Sequence, residues 1–262
     1  MMKTSVVYLI LCCMTMTATA LANTIHVVTG NNYPPFTDEN LPGGGMITEI
    51  VELAFKKAGY QAQIVFRPWK RAYEETKKGV FVATFPYIKT EERLKDFHYS
   101  QPINTVYTRV FVVKDSPIHE LQDLTGRRIC VPLGYGVSEK FADMLKQGLF
   151  NEEATPVDLV GCLRMMLSGR KDFFIVNEIV GWATIRETFN TTEHFRTLDA
   201  SFKEETHHLI VSKTRADGAR LLQAFDRGLD QLREDGTLQM IIKRHMKDIL
   251  SDAADSGKTW TR

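Results

Sequence analysis

Two extended runs far apart in the chain limit what it can fold into. Residues 106–113 (VYTRVFVV) and 207–212 (HHLIVS) are rich in β-branched and apolar side chains, the composition of strands. Between them lies an alternating series: strand 128–131, helix 138–146, strand 156–160, helix 162–167, strand 173–176 and helix 180–188. A similar series precedes them: strand 25–28, helix 48–58 closed by Gly59, strand 63–66, helix 69–78 between Pro68 and Gly79, and strand 80–85 ended by Pro86. Helices at 218–233 and 238–245 follow the second run, and 251–262 is a polar tail. Strands alternating with helices predict α/β units with mainly parallel sheets. A chain that leaves one unit along an extended segment and returns along another predicts two lobes, the second inserted into the first. Lobe 1 is expected at 23–108 and 210–262, lobe 2 at 109–209, and the hinge strands near 106–113 and 207–212.

The first twenty-two residues are set apart from this fold. Lys3, the apolar run 6–14 and the A-x-A motif Ala20-Leu21-Ala22 make a secretory leader too short to span a bilayer. Cys12 follows the bulky Leu11, which does not suit a lipoprotein signal, so a soluble exported chain is expected, periplasmic and without membrane insertion. Without Lys3, the remaining 32 basic residues balance 32 acidic ones. A neutral mature chain lacks the basic excess that nucleic acid or an anionic membrane would require. Two cysteines remain, Cys130 and Cys162. In an oxidising compartment they are compatible with a disulfide, and equally with two buried thiols. No histidines cluster beside them as a zinc site would need.

Notable side chains gather just beyond the expected strand ends, where open parallel sheets bind ligands. Tyr33 and Phe36 sit in the stiff loop TGNNYPPFTDEN after the first strand. Tyr87 and Arg93 follow strand 80–85, Gly134, Tyr135 and Gly136 follow strand 128–131, and Asn177 and Glu178 follow strand 173–176. The glycine pair before a helix can form an anion-accepting nest or an ordinary tight turn. Trp69 is either a cleft wall or a cap on the core, and Arg71 either a second anion donor or a solvated cation. Trp182, His207 and His208 read as hinge or interlobe packing, and His98 as structural.

Five blocks, in order, cover nearly the whole mature chain: YPPFTDENLPGGGMITEIVELAFKKAGY, RPWKRAYEETKKGVFVATFPYIKTEERLKDFHYSQPI, LTGRRICVPLGYGVS, LSGRKDFFIVNE and LREDGTLQMIIKRHM. Together they resemble the periplasmic solute-binding proteins of the polar amino-acid type, extracellular solute-binding family 3. The resemblance implies the type II periplasmic binding protein fold: two α/β lobes, each a mainly parallel sheet flanked by helices, joined by two hinge crossings. It also implies closure on a small polar ligand, an amino acid or related compound, for delivery to an ABC permease. A monomer without cofactor or metal is expected. Arg93, in KTEERLKD, matches the family's arginine that grips a ligand carboxylate, a task suited to a rigid bidentate fork. The chain departs from the pattern at Asn177, where the family usually places an amine-binding aspartate. An asparagine there accepts from an ammonium without supplying charge, and the adjacent Glu178 could take over if the loop turned it inward.

Other classes leave weaker traces. The motifs G-x-S-x-G, H-E-x-x-H, the P-loop and the Rossmann fingerprint are all missing, so no enzyme is expected. Two alternatives share the fold: a periplasmic sensor component that docks on a receptor, and a dehydratase-like enzyme using Glu178.

Overall fold

A computed structural model describes residues 23–136, 139–151, 155–199 and 204–255. The expected leader, 1–22, lies outside the described residues. The strand β1 (Asn23–Thr29) buries Ile25, Val27 and Val28. It pairs in parallel with β2 (Tyr60–Phe66) on one side and β3 (Ala83–Tyr87) on the other. Parallel neighbours require crossovers, and α1 (Met46–Lys57) and α2 (Trp69–Lys77) supply them. Ile47, Ile50, Val51, Ala54 and Phe55 form the buried stripe of α1 at helical spacing. Pro86 does not end β3. The strand runs on to Tyr87 because its pairing with the next strand is irregular between Thr84 and Tyr87, where the missing proline N–H costs nothing.

After the short α3 (Glu91–Asp96) and β4 (Phe97–Tyr99), the long β5 (Asn104–Val113) crosses out of this unit. β6 (Ile129–Cys130), α4 (Glu139–Lys146), α5 (Leu159–Leu167), β7 (Phe173–Asn177), α6 (Glu178–Phe189) and β8 (Phe195–Thr197) form the second. β9 (Glu204–Ser212) returns, and α7 (Gly218–Glu234) and α8 (Thr237–Asp255) pack on the first unit beside α1. The strand order is β2-β1-β3-β9-β5-β7-β6, with β4 on β9 and β8 on β5. This is the two-lobed α/β arrangement expected, with one difference in the second lobe. Apart from the isolated Arg128–Asn151 bridge, β6 and β7 are the described segments that pair in parallel there, whereas β5 runs antiparallel to both β7 and β8.

The strand expected at 156–160 is absent because a helix cap claims its residues. Asp158 accepts from the Gly161 N–H at 2.8 Å and starts α5 at Leu159. Cys130 on β6 and Cys162 on α5 are joined by a disulfide, with Cα atoms 5.7 Å apart. The bridge ties α5 to the strand that leads into the Gly134–Gly136 loop. It closes a loop spanning 32 positions, long enough to restrict the unfolded chain substantially. Replacing both cysteines by alanine should lower unfolding stability by about 3 kcal/mol. Denaturant titration of oxidised wild type against the double variant measures it, and equal midpoints would refute it.

Candidate functional site

Strand register decides which side chains meet where the two units join. Residues directly opposed on antiparallel strands share a face, as do residues two apart on one strand. Asn104 pairs with His207, Val106 with Glu205, and Thr108 with Asn177. One face of the crossing therefore carries all six side chains. All but Asn104 line a cavity, whose walls come from both sides: Tyr33, Trp69, Tyr87 and Arg93 from one, Gly134, Tyr135 and Gly136 from the other. About 60 Å³ is open to the centres of water-sized molecules, room for a few waters or one small solute.

Arg93 is the dominant charge. Thr90 caps α3 by accepting the Arg93 backbone N–H at 3.2 Å, which fixes where the helix begins and aims its third residue. The side chain is 9% exposed. Nη1 donates to the Ile88 carbonyl at 3.2 Å, and the guanidinium carbon lies 4.8 Å from the Tyr87 ring centre and 6.0 Å from that of Tyr73. Among the described residues no carboxylate pairs with it. Gly136 is the facing surface: a Cβ there would lie 2.7 Å from an Arg93 Nη. Gly134, at φ +85°, packs against Trp69, where a Cβ would stand 2.5 Å from the Lys70 amide nitrogen.

The aromatic loop divides its two rings. The Phe36 and Thr37 amides both donate to the Tyr33 carbonyl, closing a tight turn around the prolines. Phe36 turns into the core, 1% exposed, and does not line the cavity. Tyr33 lines it and donates its hydroxyl to His207 Nε2 at 3.0 Å, while His207 Nδ1–H donates to Asn104 Oδ1 at 3.1 Å. With burial disfavouring the charged ring, these bonds put the proton of a neutral imidazole on Nδ1. Burial pushes the His207 pKa down to about 3 and holds the Tyr33 hydroxyl well above its usual range.

Asn177 differs from its expected role. It caps α6: Oδ1 accepts the Ile179 and Val180 amides at 2.8 and 3.2 Å. The buried Nδ2 has no partner among the described residues, so Asn177 offers the cavity a donor and cannot accept from an ammonium. Glu178 does not turn inward. As the first residue of α6 it reaches Arg109 Nε at 3.1 Å, and Arg109 lies on the opposite face of β5 from Thr108. Arg71 is exposed and paired with Glu75 at 2.7 Å, away from the cavity. Trp69 is a wall residue, its indole N–H held by the Asn31 carbonyl at 2.9 Å. Trp182 packs on Phe111 in the second lobe, and His98 is exposed.

Glu205, Thr108 and His207 are cavity residues that the sequence reading did not place there. Glu205 accepts from Thr108 Oγ1 at 2.8 Å. The available signal was alternation: stepping back by two from His207 along an extended segment reaches Glu205. Among the described residues no group of three or more His, Cys, Asp or Glu could hold a metal ion, and no helix is long and apolar enough to cross a membrane.

A neutral buried histidine makes the fold acid-labile. Because the His207 pKa is lowered in the folded state, the unfolded chain binds the proton first, and stability falls as pH drops from about 6.5 toward 3. Denaturant titrations across pH 6.5–4.5 should show a slope of up to about 1.4 kcal/mol per pH unit from this group. The slope should be shallower in His207→Asn; an unchanged slope would count against a neutral His207.

The profile of the bacterial extracellular solute-binding proteins, family 3, matches residues 25–248. The chain is 27% identical over 222 residues to the arginine-binding extracellular protein ArtP of Bacillus subtilis (strain 168), covering 82% of this chain and 83% of that one. It is 23% identical over 226 residues to the amino-acid-binding protein AabA of Dichelobacter nodosus, covering 81% and 85%. A histidine kinase sensor domain with similarity to periplasmic binding proteins superposes with a TM-score of 0.74 at 22% identity, over 85% of this chain and 96% of that one. An ancestral arginine-binding protein bound to arginine superposes at 0.71, also at 22% identity, over 85% and 97%. These two likenesses are of fold.

Proposed function

This chain belongs to the bacterial extracellular solute-binding proteins, family 3, and from that premise we propose that it closes two lobes on one amino acid and presents it to an ABC permease. Lobe 1 is assigned to 23–108 and 210–262 and lobe 2 to 109–209. The chain acts outside the cytoplasm as a monomer after removal of residues 1–22.

The observation that carries this reading is Arg93, a buried guanidinium without a carboxylate partner among the described residues, at the wall of a cavity sized for a small solute. Burying a cation is costly unless an anion meets it. The α-carboxylate of an amino acid satisfies the fork with two parallel hydrogen bonds. Tyr33, Trp69, Tyr87 and Tyr135 surround the site with apolar ring surface, which lowers the effective dielectric and strengthens that pair. Gly134 and Gly136 admit lobe 2 to contact distance, so a ligand held by Arg93 is also touched from the second lobe. A ligand contacting both lobes binds the closed form better than the open one and shifts the population toward it. Closure then creates the surface that a permease reads.

A thermal-shift panel of the twenty L-amino acids identifies ligands, since a specific ligand raises the melting temperature by mass action. For the strongest, Arg93→Ala should cost about 3 kcal/mol or more, at least a hundredfold in Kd by calorimetry. Unliganded Arg93→Ala should melt no lower than wild type, because it removes an unpaired buried charge. Unchanged affinity would dismiss Arg93 as the carboxylate clamp.

A further inference from the structure

Glu205 is the only acid among the described residues lining the cavity, and it stands on the hinge strand β9. It lies on β9 opposite Val106, on the same face as His207, with Thr108 Oγ1 donating to it at 2.8 Å. Arg93, Tyr33 and Glu205 line the same cavity, and the two charges act in opposite senses on the Tyr33 hydroxyl. Asn177 completes the picture by exclusion. Its Oδ1 is committed to two α6 amides, and its Nδ2, in a residue 4% exposed, has no partner among the described residues. An ammonium placed there would meet donor against donor, whereas a ligand oxygen would satisfy it.

We propose that Glu205, on the hinge strand, receives the ammonium of the ligand, and that Asn177 donates to a ligand oxygen instead of accepting from the amine. The proposal rests on the amino-acid reading above and deepens it. Arg93 and Glu205 then hold the two ends of a zwitterion from lobe 1 and the hinge. The second lobe supplies hydrogen-bond donors through Asn177 and the Gly134–Gly136 loop, so the ligand's oxygens couple binding to closure. A negative charge at 177 would face those oxygens and repel them.

Calorimetry on three proteins tests this: wild type, Glu205→Gln and Asn177→Asp. The probes are the L-amino acid with the largest thermal shift and the acid in which a hydroxyl replaces its α-amine. Wild type should prefer the amine at least a hundredfold. Glu205→Gln should cut that preference below tenfold, and Glu205→Asp, which keeps the charge, should retain more of it than Glu205→Gln. Asn177→Asp should weaken amino-acid binding at least tenfold. A wild-type preference surviving in Glu205→Gln, or tighter amino-acid binding by Asn177→Asp, would overturn the proposal while leaving the amino-acid reading intact. If wild type bound only amine-free acids, both would fall. Should Glu205→Gln not fold, the direction of the Asn177→Asp change still decides where the amine sits.

Discussion

Among the described residues, four residue pairs join the two lobes in one sheet. β5 and β9 run antiparallel from Asn104 opposite His207 to Tyr107 opposite Glu204, and then part. β5 continues beside β7 and β8, and β9 beside β3 and β4. Each lobe is thus built outward from the same two strands. The same short ladder fixes which side chains face the cavity. A one-residue slip of β9 would send Glu205 and His207 to the other face and break the Tyr33–His207–Asn104 chain of hydrogen bonds. Register, hinge and binding floor are one constraint.

That constraint brings the polar side chains of the floor within reach of one another. Buried polar groups must find partners, and here they find one another: Thr108 with Glu205, Tyr33 with His207, His207 with Asn104. Left over at the cavity, among the described residues, are Arg93, which no carboxylate meets, the Asn177 amide and the Tyr87 hydroxyl. A cation held against two tyrosine rings and one carbonyl is stabilised less than one in water, so the unliganded site carries a standing cost that an anion removes. Sites of this kind break the rules that govern the rest of a fold because their partner arrives with the ligand.

Much of this was legible in the sequence, for reasons that separate the successes from the errors. Helices such as 48–58 announce themselves because their apolar stripe repeats at 3.6 residues, and strands such as 25–28 because they are short, β-branched and bounded by turns. The segment 156–160 misled because a short apolar run has no decisive period. Asp158 and Gly161 formed a helix cap that outweighed it. The strand-end rule placed Tyr33, Tyr87, Arg93, Gly134, Tyr135, Gly136 and Asn177 where the cavity lies, and of the two readings left open for Trp69 the wall is the one found. It could not say which way a residue turns. Phe36 and Glu178 are neighbours of cavity residues in sequence but face a core and an arginine on the opposite face. Glu205 was hidden for a different reason, because β9 already includes Glu204 and Glu205, ahead of the apolar run that signals it.

The rigid YPPF turn matters through what it joins. Phe36 anchors the loop in lobe 1, and the Tyr33 hydroxyl fastens it to His207 on the hinge strand. Tyr135 of lobe 2 packs edge-on against the same tyrosine, with ring centres 6.0 Å apart, and against Trp69 at 5.9 Å. A ring fixed in this way loses little freedom when the lobes meet, so ligand binding energy is not spent on ordering the wall. The energy is instead available for closure. Moving a two-state equilibrium from 1:99 to 99:1 requires about 5.5 kcal/mol of preference for the closed form. On the proposed reading, a desolvated carboxylate on Arg93 and oxygens seated on Asn177 and the Gly134–Gly136 loop form their full contacts only when both lobes are in place, and such a preference originates in that dependence.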